Sequence, residues 1–376
     1  MLGGRLSQDD EISELEAILR VCPAFYPALF HLGFLQAKSA RSEPAHRLLL
    51  EGADRMAERQ PSLAQEIDVT GGVIELLEDS LRYDLARELL QRLTEHYPSE
   101  PAFHDELGGA LVVLGESEEA LRRFEKAVAL DPDNARYVCN LGWGFLAAGR
   151  LDEAKAHLER SLEMDAEDGI TRANYGVLRF IERHGGSFED YLLRPLDRKK
   201  LSRLEESAEA AGDYEELDQT VKQWNHDRLE AWKWELCRRR DPPDYPQVYK
   251  SLRAFLRFVA QLSQDSYLLY EDLDLLADKL KLVMHKFIFK MADANAEILE
   301  EVYAGLLAFY GFLCQRSLLS KRVFSAFRAE ALGMKRSLVE KAERYAAVRH
   351  DDSRPEEEKE RIREELFEGD HLFPWI

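Results

Sequence analysis

The sequence predicts an all-α protein: an α–α solenoid of stacked helical hairpins followed by a C-terminal helical domain. Three observations carry this. Small and apolar residues recur at an offset of 34 residues between Pro101 and Asp168, the length of a two-helix unit. No segment shows the sustained apolar–polar alternation of a half-buried strand. Beyond Asp241-Pro242-Pro243-Asp244 that period is lost and the amphipathic segments lengthen, so architecture changes at a strong turn signal.

The central pair of units aligns without a gap. Leu107-Gly108, Leu111, Gly115, Ala120, Phe124, Ala127 and Pro132 mark the first, and Leu141-Gly142, Phe145, Gly149, Ala154, Leu158, Ser161 and Ala166 fill the same slots in the second. Leu107, Leu111 and Leu114 form the apolar stripe of one helix. Gly115 ends it, and Leu121, Phe124, Ala127, Val128 and Leu130 give the next helix its buried face. Gly108 and Ala120 let the two helices approach closely. Asp131-Pro132 closes the hairpin, because proline cannot continue the helical hydrogen bonds. This pattern resembles the tetratricopeptide repeat. The resemblance implies an α-solenoid that presents a concave binding surface, and it implies no chemistry.

In chain order, Asp9 to Arg20 reads as a helix on Ile12, Leu15, Ile18 and Leu19. Tyr26 to about Pro61 and Ile67 to Glu100 read as further repeats, with Ile74 in a small-residue slot and Leu81 at the turn glycine. After Asp168 one helix keeps the frame through Asn174, Tyr175-Gly176 and Phe180. Gly185-Gly186 and Pro195 then predict a short or displaced second helix. A looser hairpin covers roughly Arg198 to Leu229, with a helix around Trp232 and Trp234 after it. The units are thus residues 1–25, an N-terminal helix or cap; 26–196, the solenoid; 197–246, a degenerate repeat and linker; and 247–376, the C-terminal helical domain.

In the last of these, Val248 to Leu262 is amphipathic, and Leu269, Leu273, Leu276, Leu280, Val283 and Phe287 alternate at spacings of four and three. Such a stripe suits an ordinary bundle core, and it also suits a seam for a homodimer through 269–287. Ile298 to Leu313 is apolar almost all round, a core helix, and Val323 to Tyr345 forms another. Ser353-Arg354-Pro355-Glu356 reads as a capped helix start. The tail Leu372 to Ile376 is apolar enough to fill a groove.

The formal net charge of -20 argues against a nucleic-acid partner. It is concentrated in the repeats: residues 67–168 hold 23 acidic and 10 basic side chains, a net of -13. That charge reads as a solvated exterior or as attraction to a basic partner. Cys22, Cys139, Cys237 and Cys314 show neither a disulfide framework nor zinc spacing. The N-terminal residues lack the apolar run of a secretion signal, and Val302 to Cys314 is too short for a bilayer span. A reducing cytoplasm is expected. No histidine lies in a metal-ligand pattern, no glycine-rich phosphate loop or nucleophile turn is present, and no cofactor is implied. The reading is therefore non-enzymatic, with no catalytic or metal-binding residue.

The resemblance locates the function. In such repeats the first helix of each unit lines the inner face, which places Asp105, Gly109, Val112, Arg136, Cys139, Trp143, Leu146, Val177 and Phe180 in a partner-binding groove. Members that grip a C-terminal carboxylate use lysine and asparagine in slots filled here by Asp105, Gly109, Cys139 and Trp143, so a carboxylate clamp is not expected. An apolar groove anchored by Trp143 suits a helical or extended polypeptide segment; alternatively Trp143 and Phe180 pack against the chain itself. The expected function is a protein–protein interaction scaffold. The alternative is an enzyme or nucleic-acid-binding regulator acting through the C-terminal domain, where Lys279, Lys286 and Lys290 are spaced along one helix face. Two further basic clusters, Arg194 to Arg203 and Arg238 to Arg240, have the charge to pair with the acidic repeats or an acidic partner.

Overall fold

A computed structural model describes residues 8–38, 42–59, 63–240, 244–262, 269–291, 294–349 and 351–370. Among them every regular element is a helix. The proline boundary Asp241 to Pro243, the Pro61 stop, residues 1–7 and the tail Leu372 to Ile376 lie outside the described residues. The chain forms two compact units, Met1–Tyr191 with Lys233–Asp244, and Leu192–Trp232 with Tyr245–Ile376.

The first unit opens with α1 (Gln8–Val21). Hairpins follow: α2 (Tyr26–Lys38) with α3 (Ser42–Arg59), α4 (Leu63–Asp79) with α5 (Tyr83–His96), α6 (Pro101–Leu114) with α7 (Ser117–Leu130), and α8 (Ala135–Ala147) with α9 (Leu151–Met164). Then come α10 (Gly169–His184) and the five-residue α11 (Phe188–Leu192), the shortened partner that Gly185-Gly186 and Pro195 predict. First helices touch first helices along the array, α2 on α4, α6 on α8 and α8 on α10, which forms the inner row.

One packing device recurs. The Cβ that Gly33 lacks would lie 3.0 Å from Leu49; that of Gly108, 2.6 Å from the Phe124 ring; that of Gly142, 2.9 Å from Leu158. In each hairpin a large side chain of the second helix thus occupies the space a side chain of the first would need. Turns recur as well. Leu81, Gly115 and Gly149, 34 residues apart, all have positive φ, at 53°, 83° and 75°. Leu81 holds a left-handed conformation that glycine adopts without strain, and its side chain is buried. Each later inner helix also starts on a side-chain cap in one slot. Glu100 accepts from the Ala102 N–H, Asn134 from Arg136, and Asp168 from Ile170 and Thr171, which satisfies donors the first turn leaves open.

The second unit contains α12 (Arg198–Ala211), residues 215–232 of α13 (Glu215–Arg239), α14 (Tyr245–Leu262), α15 (Leu273–Lys290), α16 (Ala296–Gln315), α17 (Lys321–Arg349) and α18 (Glu356–Phe367). The loose hairpin and the tryptophan helix that follows it are one continuous structure: α13 runs unbroken through Trp224, Trp232 and Trp234, since no glycine or proline interrupts it. Ser353 does not cap α18. Its hydroxyl donates to Asp351, and the cap position is Pro355 with no side-chain bond.

The four–three stripe of α15 and its approach is buried inside this unit. Leu269, Leu273, Leu276, Leu280, Val283 and Phe287 are each at most 2% exposed. Phe287 packs edge-on to Phe255 and Phe258, and Leu269 joins Leu201, Leu217, Val221 and Trp224. The stripe therefore presents no open seam to a second copy.

Candidate functional site

The inner face of the first unit gathers two kinds of side chain. Towards the C-terminal ends of its helices the lining is aromatic. Trp143 of α8 lies edge-on to Phe124 of α7 at 6.2 Å. Its other neighbour is Trp234, from the last turns of α13, at 6.4 Å. Trp234 in turn stacks on Phe188 of α11, centroids 5.3 Å apart and planes 18° apart. The guanidinium of Arg238 sits 5.1 Å from the Trp234 ring. Its Nε donates to the Val113 carbonyl at 3.2 Å, and it ion-pairs with Glu189.

A second part of the lining is acidic. Asp105, 3% exposed, accepts two hydrogen bonds from the Asn140 amide at 3.1 and 3.0 Å. Arg136 lies 3.7 Å from it. Burial pushes the Asp105 carboxyl up to about 7, against the lowering effect of the Asn140 bond. Glu78 of α4 rises to about 8, by burial and by the charge of Glu106, with Lys233 opposing. Burial also raises Glu106, and Arg136 restrains it. Asp105 and Glu78 are thereby held partly neutral near pH 7, so this part of the face gains negative charge as pH rises through 7 to 8.

The groove residues expected from sequence fall into three groups. Asp105 and Arg136 lie 3.7 Å apart, Trp143 sits with Phe124 and Trp234, and Gly109 lies one turn after Asp105 on α6. A Cβ on Gly109 would meet nothing within 4 Å, so this slot is open. Val112, Cys139, Leu146 and Val177 are buried, at 2%, 2%, 0% and 8% exposure. Cys139 accepts a contact from Asn174 at 3.6 Å, and burial raises its thiol. Phe180 packs on His184 and Tyr191, at 4.4 and 5.2 Å.

Sequence reasoning missed Trp234, Phe188, Glu78 and Asn140 as parts of this surface. The available signal was the basic run at Arg238 to Arg240, whose charge is here directed at the repeats: Arg238 reaches Glu189, and Arg240 lies 3.9 Å from Asp84. The other basic cluster is engaged within the second unit, Arg194 with Asp227 at 2.6 Å and Arg198 with Asp272.

The lysine stripe of the second unit is not one solvated face. Lys286 is fully buried, whereas Lys279 and Lys290 are exposed. Its neighbour His285, also buried, bonds Asp370 through Nδ1 at 2.7 Å and Lys341 through Nε2 at 2.9 Å. Burial holds that imidazole below its ordinary range, so Nε2 accepts from the lysine ammonium. This network fastens Asp370 to α15 and α17. No group of three or more metal-binding side chains occurs among the described residues, and no helix among them is long and apolar enough to cross a membrane.

Residues 99–167 match the family model described as tetratricopeptide repeat. Over 103 residues, 27% of this chain, the sequence is 33% identical to tetratricopeptide repeat-containing protein trd-1 of Caenorhabditis elegans. Over 164 residues, 44% of the chain, it is 23% identical to a peroxisomal targeting signal receptor of Candida glabrata. These matches span 12% and 28% of the relatives' own lengths, well under two thirds. Among solved structures, MamA from MSR-1 is similar at 24% identity over 42% of this chain and 94% of its own, with a TM-score of 0.27. The TPR domain of P58(IPK) is similar at 15% identity over 96% and 82%, with a TM-score of 0.24.

Proposed function

We propose that this chain, which carries tetratricopeptide repeats and hence a fold of protein–protein interaction, is a scaffold whose inner repeat face binds a partner polypeptide. The observation that carries this is the slot at Gly109, open above its Cβ position and one helical turn from Asp105, the carboxylate that Arg136 approaches to 3.7 Å. A helical or extended segment laid there would place apolar side chains against Trp143 and basic ones among the carboxylates. One relative is by its name a receptor for a targeting signal, a role of the same kind. The four free cysteines suit a reducing cytoplasm, where we place the protein.

Gly109→Trp tests the reading. The new ring would fill the slot while its Cβ meets no neighbour, and replacing a helical glycine adds about 0.5 kcal/mol of helix stability. The expected outcome is an unchanged or slightly raised melting temperature with loss of partner binding in a pull-down from native lysate. Undiminished capture by a folded Gly109→Trp chain would sink the proposal.

A further inference from the structure

One part of the inner face already holds a helix, the chain's own segment from Lys233 to Arg240, and its contacts define what that place recognises. Trp234 is 5% exposed, flat on Phe188 and edge-on to Trp143. Arg238 comes four residues later and so projects from the same side of the helix. It lies over the Trp234 ring, and its Nε donates to the carbonyl of Val113.

Val113 is in the last turn of α6, where carbonyls lack partners within the helix. The Gly115 N–H reaches the carbonyls of Leu111 and Val112, and Arg238 reaches the next one. A cation is favoured at that end of a helix. Gly115 permits the approach, since a Cβ there would lie 3.1 Å from Arg238 Nε. Charge is complementary too. Residues 233–240 carry four basic and one acidic side chain, net +3, against the net -13 of residues 67–168. Lys233 lies 5.9 Å from the Tyr83 ring and lowers the pKa of Glu78.

We infer that this end of the groove is specific for a helical segment of a partner protein bearing an aromatic residue and, four positions on, an arginine in basic surroundings. The chain's own Trp234 and Arg238 occupy the site as an internal ligand until such a segment replaces them. The inference rests on the inner face being the partner site. The polar contact at the rim suits exchange. The Arg238–Glu189 pair is about one-third exposed on both sides (30% and 34%), so water competes for it. The buried aromatic supplies the anchor, as at other interfaces. Lysine cannot replace the arginine, because it lacks the planar group that covers the ring while donating sideways.

The test uses the full chain and a fluorescein-labelled synthetic peptide of residues 230–241 with serine for Cys237, read by anisotropy. Trp234→Ala with Arg238→Ala should bind the peptide saturably, at least about tenfold tighter than the unaltered chain. Adding Trp143→Ala should abolish that binding, and lysine for arginine in the peptide should weaken it about tenfold. Because loss of Trp234 removes a buried ring, Arg238→Glu alone serves as a second variant. It keeps the buried ring, so its melting temperature should fall less than that of the double variant, and it should bind the peptide several-fold tighter. Equal peptide binding by all chains, no binding by any, or binding indifferent to Trp143 would overturn the inference. If the peptide results fail while Gly109→Trp still blocks partner capture, the inference falls and the proposed function stands. If Gly109→Trp leaves capture intact, the proposed function itself fails.

Discussion

Phe124→Ala should lower the stability of the repeat unit by about 3–5 kcal/mol, the range for removing a fully buried aromatic ring. Phe124 is 1% exposed and fills space on two helices at once. A Cβ on Gly108 would meet its ring at 2.6 Å, and a Cβ on Gly144 would meet it at 2.8 Å. It also supports the edge of Trp143. The backbones of α6 and α8 are thus spaced for this ring, and neither glycine has a side chain that can move in to close the cavity. Phe124→Leu should cost less than about 1.5 kcal/mol, because most of the volume is kept. Urea denaturation followed by circular dichroism measures both. A loss below about 1 kcal/mol for the alanine variant would show that the hairpins close over the gap, contrary to the packing described.

Arg228→Ala should be comparably damaging to the second unit, by about 3–5 kcal/mol, since it leaves a buried carboxylate without its partner. Arg228 is 1% exposed. It pairs with Glu271 and donates to the carbonyls of Leu192 and Arg194. Glu271 is already raised by burial, with Arg228 the chief opposing influence. Without the arginine its carboxyl rises further, so the folded chain retains a proton that the unfolded chain releases above about pH 4. The unit then loses stability as pH increases through the raised value. Denaturation at pH 5 and pH 8 should show the larger deficit at pH 8. An equal deficit at both would mean that Glu271 finds another partner.

The hairpins from Tyr26 to His184 were legible because each depends on neighbours a few residues to one helix away. The 34-residue spacing fixes the turn at Gly115 and Gly149, the caps at Glu100, Asn134 and Asp168, and the glycine that receives Phe124 or Leu158. Asp105, Gly109, Arg136 and Trp143 follow from the same frame. Trp234 and Arg238 do not. Arg238 meets Val113 across 125 residues, and no local period reports a contact so distant in sequence. Lys286 escaped for another reason. Seven residues separate it from Lys279, so the two share a helix face, yet only the later lysine is buried. The end of α15 is approached by α17 and the close of α18: His285 meets Lys341 and Asp370, and Arg349 caps the carbonyls of Ile288, Phe289 and Met291. Helical periodicity names a face; which stretch of it is covered depends on where other helices end.

Partner binding at the inner repeat face is the central claim, and site-specific photo-crosslinking tests it most directly. A photoreactive phenylalanine at Gly109 places the probe in the open slot, and one at Glu125, exposed on α7, serves as the outer-face control. The account predicts a discrete crosslinked partner from position 109 and none from position 125. A partner captured from position 125 and absent from position 109 would contradict it.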